Sequence, residues 1–475
     1  MKESRRQEAL AYRDRQEAGR ARWRKRYPYY HAQDLEALRF LVPEGARVVA
    51  IGCGDGTVLA GLRPRRGLGL DPSAQTVKLA SEQHPDIEFR VVDFEAEGAL
   101  DDFGEEFDFV LLGDTVGWLD DIEAVLLRLH GLCNAETRII LAYHSPLWEP
   151  ILKASARVGL KAPMSQANWL GMHDLAAMLD LADFEVIRRE WRTLLPLSMF
   201  GLGDVLNRVV APLPGIRGLC LRHYLVARSR RRVAPKPRSA SVVIPARNER
   251  GNIEAAVQRL PMFCEHVEII FVEGHSKDGT LDEMYRVKAS YPDRDIKIFV
   301  QDGKGKGDAV RKGFDAATGE VLMILDADLT VAPEEMPRFF RQIADGKGEF
   351  VNGSRLVYPA EDQAMRTLNL IANHCFSIIF SWLLNQRFTD TLCGTKVLRK
   401  SHYERISANR LYFGDFDPFG DFDLIFGAVK LNLKVVEVPI RYLARTYGET
   451  QISRFRHGWL LLRMVVFAWR KLKAY

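Results

Sequence analysis

Nowhere in this chain of 475 residues do about 18 uncharged apolar residues follow one another, the least that a helix needs to cross a bilayer. Cysteine is scarce and scattered. The six residues, at 53, 133, 220, 264, 375 and 393, show neither metal-ligand nor disulfide spacing. That excludes a disulfide-built secreted scaffold and points to a reducing, cytoplasmic compartment. The first residues are charged and hold no apolar signal core, so a secretory leader is not expected. Internal repeats are absent, and low complexity is confined to short basic runs. The length allows two or three domains with large cores.

Net charge is only +5, but it is unevenly placed. Residues 1–26 hold ten Lys/Arg and four acids; residues 228–238 hold six bases and no acid, as do residues 454–475. These segments outweigh the surplus of the whole chain, so the remainder is acidic. Such runs suit an anionic membrane surface or a nucleic acid, or are simply a solvated helix and linker. Pro235 and Pro237 oppose helix and sheet, and an apolar strand, Ser241-Val-Val-Ile244, begins just after them. The chain therefore divides into a basic extension at 1–29, a domain at 30–228, a basic linker at 229–238, a domain at 239–455 and a terminal helix at 456–475.

In the first domain an apolar strand, Arg47-Val-Val-Ala-Ile51, runs into Gly52-Cys-Gly54-Asp-Gly56. Glycines there allow a tight turn and close backbone approach to a ligand. Asp71 ends the next strand, where an acid can accept the ribose hydroxyls of a nucleoside. Asp93 ends a third strand, and Phe94 beside it is placed to stack on an adenine. A fourth strand ends at Gly113-Asp114, and Arg138-Ile-Ile-Leu-Ala142 supplies a fifth. Strands alternating with helical stretches predict a parallel doubly wound sheet, with its ligand at the carboxyl ends of the strands. Tyr143, His144, Trp148 and residues 164–172 follow the fifth strand and are candidates for an acceptor pocket. His144 is a candidate general base.

This half resembles the class I S-adenosylmethionine-dependent methyltransferases. Gly52-x-Gly54-x-Gly56, Asp71, Asp93 and Asp114 match that family in order and spacing, closely over residues 45–145 and loosely over 146–228. The resemblance implies a Rossmann-like fold with S-adenosylmethionine as cofactor, bound by Gly52, Gly54, Gly56, Asp71, Asp93 and Asp114.

The second domain centres on Val321-Leu-Met-Ile-Leu-Asp326-Ala-Asp328, an apolar run that ends in two carboxylates one residue apart. At a strand end they can converge on one hard cation, and Mg²⁺ or Mn²⁺ prefers such oxygen ligands. Upstream strands end in Pro245-Ala-Arg-Asn248-Glu249 and in Glu273-Gly-His-Ser276-Lys-Asp278-Gly279-Thr280. A third leads to Gly305-Lys306-Gly307, where backbone and lysine can approach a diphosphate. Leu368 to Leu384 reads as an apolar helix. The chain's end reads as an amphipathic one, with Arg456, Arg463 and Arg470 on one face, fitted to a membrane interface or to the domain's own core.

This half resembles the family 2 glycosyltransferases of the GT-A fold, in the dolichol- or polyprenyl-phosphate mannosyltransferase branch. The ordered set of Val-Val-Ile-Pro245-Ala-Arg-Asn-Glu249, Ser276-x-Asp-Gly-Thr280, Gly305-Lys306-Gly307, Asp326-Ala-Asp328, Gly353-Ser-Arg355, Asp390-Thr-Leu-Cys-Gly394-Thr-Lys396 and Val436-Glu-Val-Pro439 carries it, over nearly all of 240–450. The resemblance implies that Asp326 and Asp328 hold the metal on a nucleotide-sugar diphosphate. Pro245, Asn248, Glu249, Glu273 and Lys306 would contact the nucleotide, and Arg355, Arg366 and Lys396 the acceptor or leaving phosphate. Asp421 lies where relatives that glycosylate hydroxyls carry their base. Two departures stand out: Glu273-Gly-His replaces the usual Asp-Asp-Gly, and Thr330 stands where a Gln is common.

The expected fold class is therefore α/β, with two doubly wound domains: an N-terminal Rossmann-like methyltransferase fold and a C-terminal GT-A fold with a mixed sheet. The expected protein is a bifunctional transferase, cytoplasmic and peripheral at the inner face of the membrane. It would use a nucleotide-sugar donor and a polyprenyl-phosphate or other lipid-linked acceptor, with no nucleic-acid partner. The other reading is a glycosyltransferase acting on a hydroxyl, with a non-catalytic first half.

Overall fold

In the computed structural model the described residues are 22–101, 103–161, 168–358, 367–412, 420, 422–445, 447 and 454–474. Of 367–371 and 454–457 only the backbone is described. The chain forms two compact units that divide at Ala234/Pro235.

The first unit is a seven-stranded sheet: β1 (Arg47–Ile51), β2 (Arg66–Asp71), β3 (Glu88–Val91), β4 (Phe107–Gly113), β5 (Cys133–His144), β6 (Phe184–Arg192) and β7 (Arg222–Ser229). Their order is β3-β2-β1-β4-β5-β7-β6. The strands from β3 across to β5 pair in parallel. Strand β7 runs antiparallel to both β5 and β6, which corrects the expectation of a wholly parallel sheet. The inner strands are near-continuous apolar runs, as a sheet covered on both faces requires. Val49, Ile51, Leu68, Leu70, Val110, Leu112, Ile139 and Leu141 form one core with Val125, Leu126, Leu175 and Leu179 of the covering helices. Helix starts are set locally. Ser73 caps Ala74–Gln83 by accepting from Thr76 N, and Asp121 caps Ile122–Arg128 by accepting from Ala124 N.

The second unit is also seven-stranded: β8 (Ser239–Ala246), β9 (His266–Glu273), β10 (Asp295–Val300), β11 (Val321–Ile324), β12 (Phe350–Ser354), β13 (Lys396–Arg399) and β14 (Val435–Pro439), in the order β10-β9-β8-β11-β13-β12-β14. Strand β13 is antiparallel to β11 and β12, and the other pairs are parallel. The sheet is thus mixed, as expected. Strands β8, β9 and β11 end together at one edge, which brings the polar turns after them into one place.

The helices Thr367–Leu384 and Arg454–Leu472 pack on each other. Leu461, Met464, Ala468 and Leu472 are buried at helical spacing, so the terminal helix covers its own unit with one face. Trp459, Leu462 and Val466 remain exposed on it, and Ile378 on the other helix. Among the described residues no helix is long and apolar enough to cross a membrane.

Candidate active sites

In the first unit the turn after β1 is built on backbone that only glycine adopts without strain. Gly52, Gly54 and Gly56 have φ of 70°, 57° and 77°. Asp71, buried at the end of β2, fastens that turn: its carboxylate accepts from Gly54 N at 3.2 Å and from Ser73 N at 3.1 Å. Arg24 closes over the turn onto Asp55 and Thr57. Asp93 accepts from Glu95 N at 3.2 Å and shapes the loop after β3. Bare backbone beside buried and half-buried carboxylates, at the ends of parallel strands, fits a nucleoside cofactor such as S-adenosylmethionine. Phe94 departs from expectation. It is buried in the core with its ring on Trp118, 5.7 Å away, so it offers no face to an adenine.

Asp114 belongs to a polar cluster that sequence reading found only in part. With φ at 56°, it accepts from Arg222 Nη1 at 2.5 Å and lies 3.1 Å from His144 Nδ1. Arg222 Nε donates to Asp34 Oδ1 at 2.8 Å, and Tyr224 donates to the same carboxylate. His144 Nε2 is 2.9 Å from the Tyr30 hydroxyl. Desolvation disfavours the carboxylate of Asp114, whose side chain is half exposed, but Arg222 and His144 outweigh it and hold the group well below its usual range. Burial lowers His144, with Asp114 opposing and Arg222 assisting, so the ring is neutral near pH 7. An ionised Asp114 accepts a hydrogen bond from Nδ1–H, which leaves Nε2 a bare acceptor toward Tyr30. Burial likewise brings Lys161 down to about 8. Tyr30 and Asp34 escaped the sequence reading because they come from the helix Pro28–Leu41, more than a hundred residues from their partners. Of the other pocket candidates, Tyr143 is buried in the core and Trp148 donates to Leu219 O at 2.8 Å. Residues 164–167 lie outside the described residues.

The unit's histidines make it acid-sensitive. Burial takes His223 down to about 4, with the Arg222 charge adding to it, and burial takes His31 to a similar value. An unfolded histidine titrates near 6.5. Between about 6.5 and 4 the unfolded chain therefore binds more protons, and stability falls as pH falls. For buried His223 the loss is about 3 kcal/mol across that window. Chemical denaturation of the first unit at pH 7 and pH 4.5 is expected to show it, and His223→Gln to reduce it.

In the second unit the ends of β8 and β9 are laced together. Asn248 N donates to Ser276 Oγ at 2.9 Å, and Lys277 N donates to Asn248 Oδ1 at 2.8 Å. Glu249 N donates to Thr280 Oγ1 at 3.0 Å, and Glu273, buried, accepts from Ser276 N. Pro245 lies on β8 itself, half-buried. Beside this nest stand Asp326 and Asp328. Lys306 Nζ is 2.6 Å from Asp326 Oδ1. Arg445 pairs with Asp328 and lies 3.6 Å from Glu249 Oε1. Burial would raise Asp326, yet Lys306, then Lys396 and Arg355, hold it below its usual range. Thr330 Oγ1 donates to Asp328 Oδ1 at 2.8 Å and so orients that carboxylate. Two carboxylates already balanced by two side-chain cations fit a hard divalent ion, which would bring the same charge to the same oxygens.

Arg355 Nε and Nη2 are taken by Asp390, at 2.6 and 2.9 Å, and its guanidinium lies 5.2 Å from the Tyr442 ring centre. Lys396 is buried on β13 with Nζ on the Cys393 carbonyl. Arg366 and Asp421 lie outside the described residues. Arg445 was not foreseen: it is one arginine in an irregular stretch, 117 residues from Asp328.

Residues 241–407 match the model of Glycosyl transferase family 2, and residues 49–139 that of Methyltransferase domain. Over 217 residues the chain is 30% identical to a dolichol-phosphate mannosyltransferase of Pyrococcus furiosus, covering 45% of this chain and 59% of that protein. Over 218 residues it is 29% identical to a polyprenol monophosphomannose synthase of Mycolicibacterium smegmatis, covering 45% of this chain and 80% of that protein. The chain thus spans little more than half the length of the Pyrococcus relative. A solved SAM-dependent methyltransferase of Thermotoga maritima shares 18% identity at a TM-score of 0.36, over 47% of this chain and 100% of that one.

Proposed function

We propose that this chain, with a methyltransferase domain in its first unit and a family 2 glycosyltransferase domain in its second, is a bifunctional transferase. The second unit would move a sugar from a nucleotide donor to a polyprenyl phosphate or related lipid. The first would methylate a separate acceptor. The observation that carries the reading is the meeting of Asn248, Glu249, Glu273, Asp326 and Asp328 at one sheet edge, with Lys306 and Arg445 on the two aspartates. Asp326 and Asp328 would hold Mg²⁺ or Mn²⁺, which when bound neutralises the donor diphosphate. The Asn248–Glu249 and Glu273–Ser276 turns would seat the nucleoside, and Lys306 would face the phosphates. A screen of nucleotide sugars for thermal stabilisation with Mn²⁺ present tests this. Asp328→Asn is expected to abolish metal-dependent stabilisation and sugar transfer. Full stabilisation of that variant, or stabilisation that ignores the metal, would remove the reading.

A phosphate acceptor is already ionised and needs no base, whereas a hydroxyl does. The names of the two relatives favour the phosphate. Asp421→Asn is accordingly expected to keep more than about a tenth of the rate, since losing a general base costs 10²–10⁴-fold. A hundredfold loss with donor binding intact would point to a hydroxyl.

In the first unit S-adenosylmethionine, when bound, supplies an activated methyl group. Gly52, Gly54, Gly56, Asp71 and Asp93 would seat it. His144, neutral and oriented by Asp114, would draw the acceptor's proton through the Tyr30 hydroxyl, which passes its own proton to Nε2 and takes the acceptor's in its place. The protein would lie at the cytoplasmic face of the membrane. Exposed Trp459, Leu462 and Val466, with exposed Arg463 and Arg470 on the terminal helix, support that placement.

A further inference from the structure

We infer that the first unit carries its own docking face for an anionic lipid bilayer, formed by the stretch after β5 and the stretch joining β6 to β7. Strand β5 ends at His144 and β7 begins at Arg222, so both stretches abut the His144–Asp114 cluster. Hydrogen bonds join the start of the first to the end of the second: Ser145 N to Leu221 O at 2.9 Å, and Trp148 Nε1 to Leu219 O at 2.8 Å. The helix Glu149–Arg157 buries only Leu152. Ile151 on it, and Val158 and Leu160 after it, stand exposed. In the other stretch Met199, Phe200 and Leu202 are exposed, Phe200 completely. Single exposed apolar side chains need no explanation, but two adjoining stretches that keep this many in water do.

The backbone at Phe200 strengthens the case. Met199 and Phe200 have φ of 42° and 56°, two consecutive non-glycine residues in the left-handed region. That strained turn holds the aromatic ring outward, where the protein alone gains nothing from it. Charge selects the occupant. Residues 149–161 and 194–221 hold five bases and two acids, and Arg157 is exposed on the same helix as Ile151, as is Lys153, which pairs with Glu149 at 2.5 Å. Cations interleaved with aliphatic and aromatic side chains fit the headgroup and upper acyl layer of an anionic bilayer. The same basic surplus disfavours a second copy of this face. The face shares no residue with the terminal helix of the second unit.

Hydrogen–deuterium exchange of the full chain, with and without phosphatidylglycerol–phosphatidylcholine vesicles, reads these stretches separately from the terminal helix. Exchange is expected to slow over 147–160 and 197–210 with anionic vesicles, and not with pure phosphatidylcholine. A Phe200→Ser/Leu202→Ser variant of the full chain is expected to bind the anionic vesicles about tenfold more weakly or worse in sedimentation, with unchanged thermal unfolding. Unchanged exchange in both stretches, with slowing confined to 454–472, would overturn the inference. So would slowing that needs no lipid and grows with protein concentration, which would assign the face to a second copy.

Discussion

Gly394→Ala is expected to weaken nucleotide-sugar binding about a hundredfold or more, and to abolish sugar transfer, in a chain that still folds. A Cβ added at this position would land on Asp326 Oδ2 and on Lys306 Nζ. Neither neighbour can yield freely. Asp326 lies one residue beyond the buried strand β11, after buried Leu325, and Lys306 opens the helix Lys306–Ala316 and is held by its 2.6 Å contact with that carboxylate. The methyl group must displace one or both, and with them the charge arrangement proposed to hold the donor. Charged hydrogen bonds contribute about 1.5–3 kcal/mol each, and tenfold in affinity is about 1.4 kcal/mol, so losing one or two sets the expected scale. Calorimetric titration of the donor with Mn²⁺ present measures it, with circular dichroism as the check on folding. Unchanged donor affinity would mean that Asp326 and Lys306 do not form the donor site.

The parts of both sites that follow strands were legible because the signal is local. An apolar run that stops at a glycine or an acid marks a strand end, and Gly52, Asp71, Asp326 and Asp328 all stand there. The mixed character of the first sheet was hidden by buried charge. Strand β6 places Arg188 and Glu190 inside, paired with each other on one face, with Arg188 Nε donating to Glu190 Oε1 at 2.9 Å. Strand β7 opens on buried Arg222. Charged residues inside a strand break the apolar pattern by which strands are read. The His144 cluster and Arg445 were hidden for another reason. Tyr30, Asp34, Asp114, His144 and Arg222 come from three strand ends and a helix, and only the fold makes them neighbours. Phe94 shows the opposite error, since its place beside a strand-end acid suggested a ligand contact while its apolar ring was needed by the core.

Arg355→Ala is expected to destabilise the second unit by about 3–5 kcal/mol, the usual cost of leaving one member of a buried ion pair without its partner. Asp390 is almost wholly buried and accepts from Arg355 Nε, Nη2 and backbone N, and from Leu392 N and Cys393 N at 3.0 and 3.1 Å. Without the guanidinium the carboxylate keeps only backbone donors in a site where water does not reach it. The pair also holds the turn that leads through Cys393 to Gly394, and so keeps that glycine against Asp326. Arg355 would thereby act on the proposed donor site through Asp390. Burial would raise Asp390, but Arg355 holds it below its ordinary value, so in the native protein the group stabilises above about pH 4 and loses that contribution as pH falls. In the variant only the backbone donors and the Lys396 charge oppose burial, so the folded group is held down less and contributes less above about pH 4. The gap between the two proteins is therefore expected to be widest near pH 7 and to narrow toward pH 4. Arg355→Lys, which keeps the charge and loses the fork, is expected to fall between them. Urea unfolding of the three proteins at both pH values decides the matter. If Arg355→Ala unfolds like the native protein at pH 7 yet transfers no sugar, the guanidinium serves the acceptor phosphate directly and its pairing with Asp390 is secondary.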